Sequence, residues 1–262
     1  MHWIIENKTR DEAGVRRLAE GLLRWGIPHS FHELGDDWKL VPEPNPVGNV
    51  IVIGAYAIRH EAKRKGWVPG IFDLEHLNHL DYVHSWADAM LNAQAAMWRF
   101  AEVPQLSLPD RFFCRPAQDN KLWKAGPTTR VEFLEWQAQI KKLWDDPEAH
   151  SSIQPETRVV IGPLKEITQE HRFWIVDGRV ATNSLYKRGD RVIYEGRSDP
   201  EVVAFAEKIA AHPWQPHRGY ALDVSVGPNG ELHVIEANNL GSAALYAADI
   251  QKLVAAIEAM KF

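Results

Sequence analysis

The sequence has one cysteine, Cys114, in 262 residues. No disulfide can form within the chain, which suits a reducing compartment. Long apolar runs are missing too, and none approaches the ~20 residues that span a bilayer. The first residues, MHWIIENK, carry no signal-peptide pattern, so a cytoplasmic location and no membrane partner are expected. A net charge of −5 argues against a nucleic-acid-binding surface. The one basic cluster, Arg59 to Lys65, includes Glu61 and reads as the solvated face of a helix. There is no internal repeat and no low-complexity tract.

The common catalytic signatures are absent as well. The chain has no G-x-x-x-x-G-K-[ST] phosphate loop, no G-x-G-x-x-G fingerprint and no H-E-x-x-H. It has no G-x-S-x-G elbow and no kinase H-R-D or D-F-G element. The K-x-D-G of nucleotidyl-transferring ligases is missing: Asp177-Gly178 follows Ile175-Val176. His76 and His79 have helical spacing, but two histidines do not make a zinc site.

What remains is an ordinary soluble composition, 45% apolar and 25% charged, long enough for one large domain or two smaller ones. Met1 to Ile5 reads as a strand, and Thr9 with Glu12 as a capping box for a helix reaching about Trp25, with Gly26 as its stop. His29 to His32 and the solid apolar run Val50 to Ile53 read as further strands, the latter buried and parallel. Ser85 and Asp88 open a helix to about Phe100, and Thr129 with Glu132 caps another. Phe112 to Arg115 and Arg158 to Ile161 read as strands, and Gln169 to Val176 with Arg179 to Tyr186 as a hairpin about Asp177-Gly178. Pro200 starts a helix behind Asp199, and a last helix runs from about Ala243 to Met260. Helices on largely antiparallel strands indicate an α+β fold, preceded by a small α/β unit.

The run Gly219 to Asn238, GYALDVSVGPNGELHVIEAN, reads as a second hairpin about Gly227-Pro228-Asn229-Gly230. Symmetric pairing sets Ala221 opposite Glu236 and puts Asp223, Glu236 and Asn238 on one face, with Leu222, Val224 and Ile235 on the other. Two carboxylates and an amide are hard oxygen donors suited to Mg²⁺. The same pattern describes the wet face of an ordinary sheet. A bulge in the turn would move Asp223 to the other face. Glu170 and Arg172 share a face, and the Asp177-Gly178 turn sets Arg172 opposite Asn183. Arg172 is either part of a cross-strand polar cluster or a planar fork for phosphate oxygens. In FFCRPAQDNKLWKAG, Arg115 closes a short strand, and Lys121 and Lys124 follow in a polar loop, either an anion site or solvated charge.

In this order the elements resemble the ATP-grasp superfamily, and more narrowly a small clade among phage and bacterial proteins. The resemblance rests on F-x-R-P…K (Phe113 to Lys121), VVIGPLKEI (Val159 to Ile167), E-x-R with its hairpin (Glu170 to Tyr186), and Asp223 with Glu236-Ala237-Asn238 followed by Leu245-Tyr246. It implies an N-terminal pre-ATP-grasp unit over residues 1–82 and an ATP-grasp domain over 83–262, with subdomains at about 83–158 and 159–262. It implies that Lys121 or Lys124 contacts ATP phosphates with Arg115 nearby. The backbone of Val160, Ile161 and Gly162 through Lys165 would hold adenine, with Lys165 or Glu166 adding a side chain and Glu170 joining the nucleotide set. Arg172 would face the transferred phosphate, and Asp223, Glu236 and Asn238 would hold Mg²⁺. The implied reaction is ligation of a carboxylate to an amine (of an amino acid, peptide or protein) through an acyl phosphate, releasing ADP and phosphate. A phosphotransferase or a non-catalytic nucleotide-binding protein are the alternatives. The stretch Lys124 to Thr129 has one glycine where larger relatives carry a Gly-rich covering loop.

Overall fold

A computed structural model of the chain describes residues 1–7, 11–105, 107–118, 122–146 and 148–262. It divides into two compact units, Met1–Leu74 with Ile167–Phe262, and Glu75–Glu166. The N-terminal elements thus share a unit with the C-terminal ones. The cause is a common core: Trp3, Ile5 and Ile53 pack in one cluster with Trp174, Ala221, Leu253 and Ile257.

The first unit begins with β1 (His2–Glu6), α1 (Glu12–Arg24), β2 (His29–Leu34), β3 (Leu40–Val41), β4 (Val50–Ile53), α2 (Arg59–Lys65) and β5 (Pro69–Gly70). The strands form a sheet of order β3-β2-β1-β4-β5, parallel except for β3. β4 is buried throughout, as a parallel strand covered on both faces must be. Leu18 and Leu22 of α1 cover one face of this sheet and Ala62 of α2 the other. Thr9, the expected cap of α1, lies outside the described residues; Asp11 caps the helix, accepting from the Gly14 amide at 3.0 Å. On α2, Arg64 donates twice to buried Glu61, and Lys63 pairs with Asp73.

The second unit contains α3 (His79–Trp86), β6 (Ala96–Arg99), β7 (Arg111–Pro116), β8 (Gly126–Thr129), α4 (Arg130–Trp144) and β9 (Arg158–Gly162). Its antiparallel sheet has the order β6-β9-β7-β8. The helix expected from Ser85 to Phe100 does not form. α3 ends at Trp86, Ala87 takes φ 44°, and Ala96–Arg99 pairs instead with Arg158–Ile161. A strand partner outweighs local helical periodicity here. The Thr129–Glu132 capping box is present, with Glu132 accepting from the Thr129 amide at 2.8 Å and Thr129 Oγ1 from the Glu132 amide at 3.2 Å. Trp123, Trp136 and Trp144 pack around Phe100, which accounts for three of the eleven tryptophans as core.

The rest of the first unit is β10 (Gln169–Val176), β11 (Arg179–Arg188), β12 (Arg191–Glu195), α5 (Pro200–Ala210), β13 (Gly219–Val226), β14 (Leu232–Asn239) and α6 (Ile250–Glu258). The strands form an antiparallel sheet of order β12-β11-β10-β13-β14. α6 starts at Ile250 rather than Ala243, because Asp249 caps it, accepting from the Lys252 amide at 3.1 Å. Among the described residues no helix is long and apolar enough to cross a membrane.

Both hairpin registers differ from simple symmetry. In the first, a bulge between Trp174 and Ile175 sets Arg172 opposite Ser184, and Asn183 opposite Phe173. In the second, Val226 pairs with Leu232, so Glu231 joins the loop and shifts the register by one residue. A bulge at Ile235 then shifts it again, and Asp223 pairs with Glu236 and Ala221 with Asn238. Two single-residue shifts restore the parity, so the three polar residues do share a face. The opposite face takes Val234, fully buried, in place of Ile235.

Candidate active site

One face of the C-terminal sheet is split in character. At one end Trp174, Val176 and Ala221 are buried in the core against α6. Beyond Trp174 the same face becomes polar: Glu170 and Arg172 on β10, Asp223 on β13, Glu236 and Asn238 on β14. Alternation supplies the shared face, and the ladder supplies the neighbours, since Arg172 pairs directly with Asp223, and Asp223 with Glu236.

Arg172 and Asp223 form a two-point ion pair, Nε to Oδ1 at 2.8 Å and Nη2 to Oδ2 at 2.7 Å. Both are buried, at 7% and 2% exposure. Burial alone would lower the Arg172 pKa. Attraction and hydrogen bonding to Asp223 outweigh it and hold the guanidinium charged. The Asp223 carboxyl is pushed up, first by burial and also by Glu236 and Glu170, against the pull of Arg172. Asn238 Nδ2 joins the carboxylates, donating to Asp223 Oδ2 at 3.3 Å and Glu236 Oε1 at 3.0 Å. Glu170 accepts from the Tyr186 hydroxyl at 2.7 Å and pairs with Lys187. Burial, then Asp223 and Glu170, raise the Tyr186 pKa and keep its hydroxyl protonated.

The fit to a divalent cation rests on this donor set. Carboxylate and amide oxygens on one rigid face are hard ligands. Among the described residues, no group of three or more His, Cys, Asp or Glu is placed to hold a metal, so a cation here would need Asn238 besides the two acids.

Sequence reasoning assigned no role to two rings that complete this cluster. Tyr186 and Tyr246 stack at 4.7 Å with 7° between their planes. The Arg172 guanidinium lies 5.0 Å from the Tyr246 ring centre and 5.5 Å from that of Tyr186. Both tyrosines stand in the ordered motif set, Tyr186 at the end of the E-x-R hairpin and Tyr246 after Asn238, but strand alternation and spacing do not bring the two rings together.

The remaining predicted residues belong to the second unit. Arg115 is half-buried on β7, with its Nε donating to the Pro116 carbonyl at 3.1 Å. Beside it is buried His79, whose pKa burial and then Arg115 push down to about 4. Val160 and Ile161 lie on β9, the strand between β6 and β7, and have ladder partners on both sides. Gly162 ends that strand, and Lys165 and Glu166 follow in an exposed segment. Lys124 is exposed ahead of β8. Lys121 lies outside the described residues.

A family model described as an ATP-grasp domain, the third family of its clade, matches residues 34–257. The chain belongs to the ATP-grasp family. Solved structures agree on the fold of this ATP-grasp protein. D-cycloserine synthetase is 12% identical with a TM-score of 0.63, over 98% of each chain. The macrocyclase MdnC of Microcystis aeruginosa MRC, bound with its precursor peptide MdnA, is 10% identical with a TM-score of 0.59, over 100% of each chain. D-alanine–D-alanine ligase from Bacillus anthracis, complexed with ATP, is 11% identical with a TM-score of 0.55, over 98% of this chain and 95% of that one. No curated protein matches the sequence.

Proposed function

We propose that this protein is an ATP- and Mg²⁺-dependent carboxylate–amine ligase. The observation that carries the reading is the buried Arg172–Asp223 pair, flanked by Glu236, Asn238 and Glu170, in a chain of the ATP-grasp family. The similarity in fold to D-cycloserine synthetase and to a D-alanine–D-alanine ligase complexed with ATP supports it.

In the proposed reaction a substrate carboxylate attacks the γ-phosphorus of ATP, and the bond to the bridging oxygen of ADP breaks. An amine nitrogen then attacks the acyl carbon, phosphate leaves with the C–O electron pair, and the nitrogen loses a proton to give the amide. Such chemistry depends on positioning and charge neutralisation, with no side-chain nucleophile. Cys114 suits this, its thiol pushed up to about 12 by burial and therefore protonated.

Arg172 faces the transferred phosphoryl group, its fork pre-oriented by Asp223. Arg115, Lys121 and Lys124 spread positive charge over the other phosphates. Asp223, Glu236 and Asn238 would hold Mg²⁺, which would supply charge neutralisation to the phosphates. Adenine takes backbone bonds from the stretch beyond the double-sided ladder, Gly162 to Lys165, since Val160 and Ile161 spend theirs within the sheet. Glu166 and Glu170 complete the nucleotide set. The acceptor is an amino acid or peptide, a class that the peptide-bound macrocyclase of the same fold supports.

The test is a thermal shift with Mg²⁺-ATP, followed by ADP release with amino-acid and peptide acceptors. A nucleotide at about a hundred times its Kd adds roughly 2.7 kcal/mol. The expected result is a magnesium-dependent rise in Tm, lost in Glu236→Ala and Lys121→Ala, and ADP formed only with an acceptor. AMP and pyrophosphate as products, or no shift at millimolar nucleotide, would overturn the reading.

A further inference from the structure

We propose that Asp11 is a positioning residue of this site. Through the backbone of Leu245 and Tyr246 it seats the Tyr246 ring over Arg172. The catalytic consequence rests on the ligase reading; the positioning itself does not.

Tyr246 takes φ 42°, a left-handed conformation that a bulky residue keeps only when its surroundings hold it there. Those surroundings are far away in sequence. Asp11 Oδ2 accepts from the Leu245 amide at 2.6 Å and the Tyr246 amide at 3.2 Å. Arg17, on the helix that Asp11 caps, donates to the Ala248 carbonyl at 3.1 Å and to the Tyr246 carbonyl. The two ends of one short segment are thus gripped by opposite charges, amides by a carboxylate and carbonyls by a guanidinium.

Asp11 divides its oxygens between two tasks. Oδ1 caps α1 through Gly14, while Oδ2 serves the segment. Gly14 leaves the room this needs, because a Cβ there would stand 2.7 Å from the Asp11 carboxyl carbon. A hydroxyl or an amide would serve the cap but not both tasks.

The same segment touches Arg172 twice. The Ala244 carbonyl accepts from Nη1 at 3.4 Å, and the Tyr246 ring lies under the guanidinium at 5.0 Å. Tyr186 stacks on the same ring and also lies beside the guanidinium, 5.5 Å from it. Loss of the Asp11 grip frees Tyr246 to relax toward ordinary φ and leaves the outer face of Arg172 open to water. Asp223 still pairs with Arg172, so the arginine remains charged but loses its wall.

Asp11→Ser and Asp11→Asn test this, because both keep a side-chain N-cap for α1. Amide hydrogen exchange, read by NMR on the whole protein, should speed up at Leu245 and Tyr246 by about tenfold or more, with α1 unchanged. In the ADP-release assay kcat should fall about tenfold or more, with KM for ATP within about twofold. Arg17→Met should reproduce both effects in weaker form. Unchanged exchange at Leu245 and Tyr246, or a loosened segment with full turnover, would overturn the proposal. A wild type without turnover would sink the ligase reading instead, and the exchange comparison would still decide whether Asp11 holds the segment.

Discussion

Arg172 and Asp223 stand directly across neighbouring strands β10 and β13, joined at 2.8 and 2.7 Å in a buried two-point pair. Removing one partner strands the other charge. Arg172→Met should destabilise the fold by about 3–5 kcal/mol, and the double change Arg172→Met with Asp223→Asn should restore a large part of it. Urea unfolding of the four proteins in this cycle checks the coupling. A single variant no less stable than the double would refute it.

Gly241 is required by close approach. A Cβ there would overlap the Val52 carbonyl oxygen and stand 2.8 Å from Ile71 Cγ1. It also links the segment after Asn238 to the N-terminal sheet, since its carbonyl accepts from the Gly54 amide at 2.9 Å. Gly241→Ala should cost about 1–3 kcal/mol. It should also weaken Mg²⁺-ATP binding by displacing β14, an effect that calorimetric titration would measure.

Ile235 is the extra residue of the bulge on β14. Deleting Ile235 removes only the extra residue and leaves Glu236 opposite Asp223 and Asn238 opposite Ala221. The magnesium-dependent Tm rise with ATP should therefore persist in the deletion variant, with the strands retained by circular dichroism, and disappear when Glu236→Gln and Asn238→Leu are combined. A full nucleotide shift in that double variant would show that these residues hold no cation.

Two buried histidines make stability depend on pH. Burial pushes His79 and His171 from the usual 6.5 down to about 4. Between those values the unfolded chain binds more protons than the folded one, so stability rises with pH through this window. The contribution is complete above about pH 6.5 and lost toward about pH 4, on the order of 2–3 kcal/mol for each ring. Unfolding midpoints at neutral and mildly acid pH should diverge in wild type. They should converge in the His79→Gln, His171→Gln double variant.

Legibility from sequence followed the range of the interaction. The Thr129–Glu132 capping box, Pro200 at the start of α5 and the Gly26 stop are set within a few residues, and all are present. The Glu170–Arg172 and Glu236–Asn238 pairs follow from strand alternation alone. The register of β13 against β14 did not follow from it. The shared face of Asp223 with Glu236 survived because the loop residue Glu231 and the bulge at Ile235 offset each other. The helix expected from Ser85 to Phe100 failed where β9 offered Ala96–Arg99 a ladder.

By itself the sequence determined which residue types share a strand face, where the helices are capped, and an ordered motif set of one family. Those depend on dihedral preferences and on spacings of two to four residues. Only the tertiary structure decided that Arg172 meets Asp223, that Tyr246 lies over the arginine, and that Asp11 holds it there. These contacts join positions 51 and 235 residues apart, as Arg172 with Asp223 and Asp11 with Tyr246. Strand order and loop docking set such contacts, through the burial of one shared core rather than through any local rule.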